Sequence, residues 1–257
     1  MNDQIYQDLK SLHLSGMAQS WMLLHETRKL GELTLPDGMA VLIQAEHDQR
    51  TNNRTARLLS QARFRYNASI EELTFDAAQG RDKNQILSLA TCEYIKQGAS
   101  VLVTGPAGVG KSFIASALGY QACFAGYKVR YANMQKLLED MHMARIESKA
   151  ARFFDKMAAL DLLIIDDFGM KILDGQQLLD FMELIEDRHG RKSTIIASQL
   201  PVKNWYDILA KNPTIADAIL DRVVKSAYRI DLNGVSMRKK IYLCHISRDT
   251  GNLSGWL

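Results

Sequence analysis

The sequence predicts an α/β fold: a parallel sheet covered by helices, preceded by a small all-α N-terminal domain. Three observations support this prediction. Short apolar runs alternate with helical patterns from about residue 84 onward, as in parallel sheets covered on both faces. Residues 1–66 show helical periodicity. A glycine-rich segment links the apolar run 100–104 to the helical pattern that follows it; residues 105–112 read Gly-Pro-Ala-Gly-Val-Gly-Lys-Ser.

Residues 1–66 are predicted to form a helical domain that binds DNA or a protein partner. Apolar residues at helical spacing mark the first two helices: Ile5, Leu9 and Leu12, then Met17, Trp21 and Leu24. A third helix is expected to begin near Pro36, since proline is favoured in the first turn, and to run to about Tyr66. Residues 67–85 are expected to be a connector, and 86–257 the domain with the sheet.

The elements after the connector follow from where apolar runs and helical patterns alternate. Their expected order is helix 84–97, strand 100–104, helix 111–125, strand 128–132, helices 135–145 and 148–158, strand 161–166, helix 175–189, strand 193–198, a mostly helical stretch 202–225, and strands near 228–232 and 240–246. The carboxyl ends of parallel strands share one edge, and ligands bind there.

Composition excludes several classes of protein. With 47% hydrophobic and 24% charged residues among 257, the chain matches a soluble globular protein. No apolar run approaches the length of a membrane span, so no membrane partner is expected. Cys92, Cys123 and Cys244 are scattered, which favours reduced thiols in the cytoplasm over disulfides or a metal site. A net charge of +3 is too small to indicate nucleic acid by itself.

The sequence at 105–112 has the spacing of a phosphate-binding P-loop, G-x-x-x-x-G-K-[ST]. Glycines let the backbone wrap closely and direct N–H groups at phosphate oxygens, and the following helix adds the positive end of its dipole. Lys111 would reach the β- and γ-phosphates, and the Ser112 hydroxyl would bind Mg²⁺. The expected nucleotide contacts are Gly105, Pro106, Ala107, Gly108, Val109, Gly110, Lys111, Ser112 and Phe113.

The apolar strand predicted at 161–166 ends in two adjacent carboxylates, Asp166 and Asp167. In P-loop proteins such a strand carries an Asp that holds Mg²⁺, and Asp166 suits this role. Asp167 would then act as the general base for the attacking water. A solvated turn is the alternative for the pair. At the end of strand 193–198, Ser198 or Gln199 would contact the γ-phosphate or position the water, unless they are simply where strand becomes loop.

Arginines elsewhere in the chain suggest two further roles. Arg222 ends a helical stretch and Arg238 lies in a turn between strands; for each, a surface salt bridge is the alternative. A second group, between 49 and 66, includes Arg50, Arg54, Arg57 and Arg65, with no acidic residue among them. On one helix these four would span a sector of roughly 80°. Such a face suits phosphate oxygens of DNA, or is merely solvated.

Four segments in this order resemble the IstB family, AAA+ ATPases that assist the transposition of insertion sequences. They are the P-loop, then Leu-Leu-Ile-Ile-Asp-Asp-Phe-Gly, Ser-Thr-Ile-Ile-Ala-Ser-Gln-Leu-Pro and Ala-Ile-Leu-Asp-Arg. The likeness covers nearly the whole chain, including residues 9–18 and 56–64. The related DnaC-type helicase loaders share mainly the ATPase module, and the N-terminal likeness distinguishes the two.

The resemblance implies a role for each matching residue. Lys111 and Ser112 match the Walker A contacts, and Asp166 matches the Walker B metal residue. Asp167 stands where a catalytic Glu is common, and its shorter side chain implies slow or altered water activation. Gln199 stands where the sensor strand often has Asn.

Two arginines also match family motifs. Arg222 matches the arginine finger that one subunit inserts at the γ-phosphate of its neighbour. Arg238 matches a late Ser-Tyr-Arg motif, although Met237 replaces the Tyr, and it would face either nucleotide or DNA.

The combined prediction is an ATPase with ATP and Mg²⁺ as cofactors that assembles as a homo-oligomer on double-stranded DNA. It would contact mainly the DNA backbone, recruit or activate a cognate transposase, and use hydrolysis as a switch, in the bacterial cytoplasm at the nucleoid. The closest alternative is a DnaC-like helicase loader acting in replication. A P-loop small-molecule kinase is a third class, which would need an acceptor pocket and an arginine-rich lid.

Overall fold

The computed structural model describes residues 2–76, 80–209 and 212–234. The chain divides between Leu58 and Leu59 into two compact units. Arg238 and the predicted strand 240–246 lie outside the described residues, as does Met237. None of the described helices combines the length and the apolar character that crossing a bilayer requires.

The N-terminal unit contains α1 (Asn2–Ser11), α2 (Ser15–Glu26) and most of α3 (Leu35–Ala62). A buried carboxylate joins α2 to α3: Oε2 of Glu46 accepts hydrogen bonds from the backbone N of Gly16 at 2.8 Å and of Met17 at 3.2 Å. Backbones approach closely here, because a Cβ on Gly16 would lie 2.4 Å from the carbonyl oxygen of Ala45. The first turn of α2 therefore takes its N-terminal cap from α3.

Helix α3 ends at Ala62, four residues before the predicted end. Arg63 has a left-handed backbone with φ of 57°, which cannot continue a right-handed helix. The prediction that Arg65 shares a helical face with Arg50, Arg54 and Arg57 is therefore wrong, since Arg65 lies beyond the helix.

The second unit alternates helices and strands as the sequence predicts. Its elements are α4 (Lys83–Ala90), α5 (Glu93–Lys96), β1 (Val101–Thr104), α6 (Lys111–Phe124), β2 (Val129–Asn133), α7 (Met134–Ile146), α8 (Ala150–Ala158), β3 (Leu162–Phe168), α9 (Gly175–Arg188), β4 (Ser193–Ser198), α10 (Trp205–Leu209), α11 (Pro213–Val224) and β5 (Tyr228–Asp231). The expected helix 84–97 is broken in two, because Cys92 adopts a φ of 63°.

The strands of the described residues form one parallel sheet in the order β2-β3-β4-β1-β5. Helices cover both faces of it, since four successive residues of β3, Leu162 to Ile165, have no exposed surface although their side chains alternate between the faces. A P-loop α/β core preceded by helices is the fold class that the sequence predicts, and this prediction is confirmed.

The strand register brings the chemically important residues to one edge of the sheet. Asn133, the last residue of β2, lies opposite Asp166 of β3, and Thr104 of β1 lies opposite Ser198 of β4. The pairing of β3 with β4 shifts between Ile165 and Phe168. This irregularity contains Asp167, whose φ of 56° is left-handed.

Candidate nucleotide site

The P-loop backbone takes conformations that glycine alone adopts readily. Gly105, Gly108 and Gly110 have φ values of 145°, 83° and 96°. A Cβ on Gly105 would lie 2.3 Å from the carbonyl oxygen of Leu232, so the chain passes too close for a side chain. The loop then enters α6 at Lys111, which directs the N-terminal end of this helix at the loop.

Lys111 is held against the loop that precedes it. Its Nζ donates hydrogen bonds to the carbonyl oxygens of Gly105 at 2.8 Å and Pro106 at 2.7 Å, and the residue is 7% exposed. Burial lowers the pKa of the Lys111 ammonium group, while the carboxylates of Asp166 and Asp167 act in the opposite direction. An ammonium group already partly desolvated is suited to bind a phosphate oxygen.

A pocket of about 870 Å³ lies beside the P-loop in the second unit. Its volume lies within the range of small-molecule sites. The predicted site residues that line it are Arg65, which was expected to bind DNA, and Ala107, Gly108, Val109, Gly110, Lys111, Ser112, Phe113, Asp167 and Gln199. Four residues of the expected connector, together with Tyr66 just before it, line the pocket too: Glu72, Leu73, Thr74 and Arg81. The connector therefore forms one wall of the site.

Asp166 is buried, with 1% exposure, at the carboxyl edge of the sheet. The Tyr131 hydroxyl of β2 donates a hydrogen bond to its Oδ2, and the backbone N of Asp167 donates to its Oδ1 at 2.9 Å. Burial, and then the hydrogen bond to Asp166, raise the pKa of Tyr131, so its hydroxyl stays protonated and remains a donor. Asp166 is thus fixed in orientation through both oxygens.

Asp167 lines the pocket, and one oxygen of its carboxylate takes part in both a hydrogen bond and an ion pair. Nδ2 of Asn133 donates to Oδ2 at 2.9 Å, and Nη1 of Arg65 lies 3.7 Å from that oxygen. The left-handed backbone of Asp167 turns its side chain away from the regular alternation of β3. Consecutive acidic residues thereby point to neighbouring but different environments.

Ser198 and Gln199 have different environments. The Ser198 hydroxyl is buried, donates to the carbonyl oxygen of Phe168 at 2.8 Å and accepts from the backbone N of Leu200 at 3.1 Å. These bonds give Ser198 a structural role. Gln199 lines the pocket, which makes it the better candidate for orienting water.

Arg222 is not among the residues that line the pocket. It lies in the last turn of α11, where it pairs with Glu186 and donates from Nη1 to the carbonyl oxygen of Ala218 at 2.9 Å.

In the N-terminal unit, Arg50, Arg54 and Arg57 are exposed on α3. Nε of Arg50 donates to Oε1 of Glu46 at 2.7 Å, so this arginine also stabilises the helix pair.

Sequence reasoning missed several residues of the site. Arg81, 5% exposed, donates from Nη2 to the carbonyl oxygen of Val109 at 3.1 Å and supports the P-loop from the connector. The sequence predicts Tyr131 only as part of strand 128–132, and Asn133 as part of the link between that strand and helix 135–145. A polar residue ending a strand beside the acidic strand was a usable signal for Asn133. No comparable signal pointed to Arg81.

A P-loop at the carboxyl edge of a parallel sheet, with an acidic pair on a nearby strand and this strand order, defines a P-loop ATPase of the AAA+ type. The sequence profile of the family described as IstB-like ATP binding protein matches residues 7–243. The chain belongs to this family, as its sequence motifs predict.

Comparisons with individual proteins agree with this family. An insertion sequence ATP-binding protein of Sinorhizobium fredii is 37% identical over 231 residues, covering 90% of this chain and 94% of the relative. One from Pseudomonas fluorescens, of insertion sequence IS1162, is 36% identical over 204 residues, covering 78% and 87%. The crystal structure of the DnaC helicase loader superposes with a TM-score of 0.56 at 19% identity, covering 65% of this chain and 98% of that one.

Proposed function

We propose that this protein is a DNA-dependent ATPase that assembles on double-stranded DNA and recruits or activates the transposase of an insertion sequence. The observation that carries the proposal is the pocket in which the P-loop, Asp167 and Gln199 meet. The names of its relatives supply the insertion-sequence context. Binding to chromosomal DNA would place the protein at the nucleoid.

Nucleotide binding would begin at the P-loop. Backbone N–H groups of the loop and the start of α6 would bind the phosphates, and Lys111 would exchange its bonds to Gly105 and Pro106 for bonds to the β- and γ-phosphates. Tyr66 and the connector residue Leu73 supply apolar surface in the same pocket, suited to the base.

The side chains present fit Mg²⁺, which takes few protein ligands and keeps several waters. The Ser112 hydroxyl and the Asp166 carboxylate are both hard oxygen donors, and the orientation of Asp166 is fixed by Tyr131 and Asp167. Bound there with ATP, the ion would neutralise charge on the β- and γ-phosphates.

Hydrolysis would use the polar side chains on the other side of the pocket. Asp167 would accept a proton from the attacking water while Gln199 holds that water by its amide group. Arg222 lies outside the pocket of its own chain, which supports its action on the γ-phosphate of a neighbouring copy. No subunit alone would then hold a complete site, and hydrolysis would depend on assembly.

DNA would bind through the basic face of α3. Arg50, Arg54 and Arg57 are exposed there, at intervals of four and three residues that place them on one side of the helix. Guanidinium groups bind phosphate oxygens bidentately and carry no sequence preference by that contact. We therefore expect backbone binding that weakens as salt increases.

The second candidate is a helicase loader, which the similarity to the DnaC structure favours. That similarity covers 65% of the chain, whereas the IstB-like profile begins at residue 7 and includes the N-terminal helices. The extent of the match therefore favours transposition. A gene for a DDE-type transposase beside the gene of this protein would support the transposition role. Transfer of phosphate to a small acceptor molecule would instead indicate a kinase.

The decisive experiment combines hydrolysis with assembly. The wild type should hydrolyse ATP faster when duplex DNA is added, and electron microscopy should show ordered oligomers on DNA with a non-hydrolysable analogue. Asp167→Asn should bind ATP and remain assembled, while Lys111→Ala should lose both nucleotide and assembly. Monomers that ignore DNA under all conditions would contradict the proposal.

A further inference from the structure

Phe64 and Arg65 connect the end of α3 to both acidic residues of the pocket. The Phe64 ring lies 6.4 Å, centroid to centroid, from the ring of Tyr131, the residue that holds Asp166. Arg65 reaches Asp167 at 3.7 Å. Phe64 is also anchored against the Tyr120 ring at 4.5 Å, so the backbone that carries Arg65 is packed in place.

The contact of Arg65 with Asp167 is better suited to orienting the carboxylate than to stabilising the fold. The side chains are 53% and 30% exposed, and ion pairs with this exposure contribute little stability. Asn133 already donates to Oδ2 of Asp167, and Arg65 approaches the same oxygen from a different element. A hydrogen bond from Asn133 and an ion pair with Arg65 on the same oxygen restrict rotation of the carboxylate and direct its Oδ1 away from them.

We propose that Arg65 is a positioning residue for hydrolysis, which acts through Asp167 and ties the end of the basic helix to the group that activates water. The inference rests on the proposed function, because it requires that Asp167 accept a proton from the attacking water. Arg65 lies three positions after Ala62, the last residue of α3. A movement of this helix end on DNA binding would therefore shift Arg65, and with it the contact to Asp167, through only two intervening residues.

The first test compares turnover with nucleotide affinity. Arg65→Ala should reduce single-turnover hydrolysis roughly 10- to 100-fold, because the general base is no longer held in position. Its affinity for a fluorescent ATP analogue should stay within about 2-fold of wild type, which also shows that the variant folds. Arg65→Lys should be intermediate, since an ammonium group keeps the charge and loses the planar geometry.

A matched control is the neighbouring arginine. Arg63→Asn removes an adjacent charge at a position whose φ of 57° asparagine tolerates, and the Asp167 carboxylate contacts Asn133 and Arg65 rather than Arg63. Its hydrolysis should resemble that of wild type. Equal losses in Arg63→Asn and Arg65→Ala would show that general charge near the pocket matters, and would overturn the specific role of Arg65.

A double-mutant cycle tests the route through Asp167. In an Asp167→Asn background, Arg65→Ala should produce almost no further decrease in turnover. Additive decreases would mean that Arg65 acts elsewhere and would overturn the proposal. Wild type that fails to hydrolyse ATP even with DNA would contradict the proposed function itself, whereas active wild type matched by Arg65→Ala would contradict this inference alone.

Discussion

The Tyr131 hydroxyl of β2 donates a hydrogen bond to Oδ2 of Asp166 on the adjacent strand β3. Because Asp166 is buried, this bond and the one from the backbone N of Asp167 decide how the carboxylate is oriented. Partners of metal ligands typically affect metal affinity 10- to 100-fold. Tyr131 is therefore a candidate determinant of the Mg²⁺ requirement.

We expect Tyr131→Phe to raise the Mg²⁺ concentration for half-maximal hydrolysis by roughly 10-fold. Nucleotide affinity without metal should hardly change, since the P-loop is untouched. Titration of Mg²⁺ in a hydrolysis assay, with Mn²⁺ binding followed by electron paramagnetic resonance, measures the effect. Tyr120→Phe is the control, because the Tyr120 hydroxyl bonds to Asn67 at 2.7 Å and should leave the metal requirement unchanged.

Arg222→Ala should abolish the dependence of hydrolysis on protein concentration and leave ATP affinity largely intact. An arginine supplied in trans contributes factors of about 10³–10⁵ in other P-loop systems. Glu186→Gln removes the partner of Arg222 within its own chain and keeps the arginine, so it should retain cooperative hydrolysis. If the affinity of Arg222→Ala for ATP falls as much as its hydrolysis, the trans assignment is wrong.

Replacing Arg54 and Arg57 together by Gln should weaken duplex DNA binding and reduce its dependence on salt. Each lost phosphate contact lowers the slope of log K against log[salt] by about 0.9, so the pair should lower it by about 1.8. Fluorescence anisotropy at several salt concentrations measures this slope. Lys10→Gln on α1 removes an exposed charge from another helix and should leave the slope unchanged.

Glu46→Gln should lower the free energy of unfolding by about 1–3 kcal/mol, because a buried charge-assisted cap of α2 is weakened. The hydrogen bond from Arg50 lowers the pKa of Glu46 below its ordinary value of 4.5, against the opposing effect of burial. Its stabilisation is therefore complete above pH 4.5 and is lost as the pH falls through the lowered value.

Urea titrations of the Glu46→Gln variant and wild type at several pH values would show a difference in the free energy of unfolding that shrinks as the pH falls below 4.5. Asp48→Asn is the control, since Asp48 is an exposed carboxylate two residues further along α3 that bonds only locally, accepting from Gln44 at 2.8 Å. A pH-independent difference for Glu46→Gln would contradict the ionised cap.

The predictions that the structure confirms rest on residues that are close in sequence. The P-loop needs glycines at 105, 108 and 110 and a helix that begins at Lys111, and each of these requirements is local. Likewise, the continuous apolar run Leu162–Ile165 that precedes Asp166 indicates a sheet buried on both faces. Backbone conformation and burial pattern therefore suffice to predict the sheet and the phosphate loop.

Predictions from the sequence are wrong or absent where a side chain contacts a residue that is distant in the chain. The spacing of Arg65 fits a helical period and predicts a position on the basic helix, but the left-handed Arg63 ends α3 and Arg65 contacts Asp167 instead. Arg81 supports the P-loop across 28 positions of the chain, and no local pattern marks it. Contacts of this kind depend on which strands become neighbours and how the connector packs.

The sequence by itself determined the class of fold, the family and the phosphate-binding loop, because these follow from local backbone requirements and from the ordered motifs. The tertiary structure alone decided that Tyr131 holds Asp166, that Asn133 and Arg65 share one oxygen of Asp167, and that the connector forms a wall of the pocket. The physical reason is the order β2-β3-β4-β1-β5, which places β2 beside the acidic strand although 28 residues separate Asn133, the end of β2, from Leu162, the start of β3.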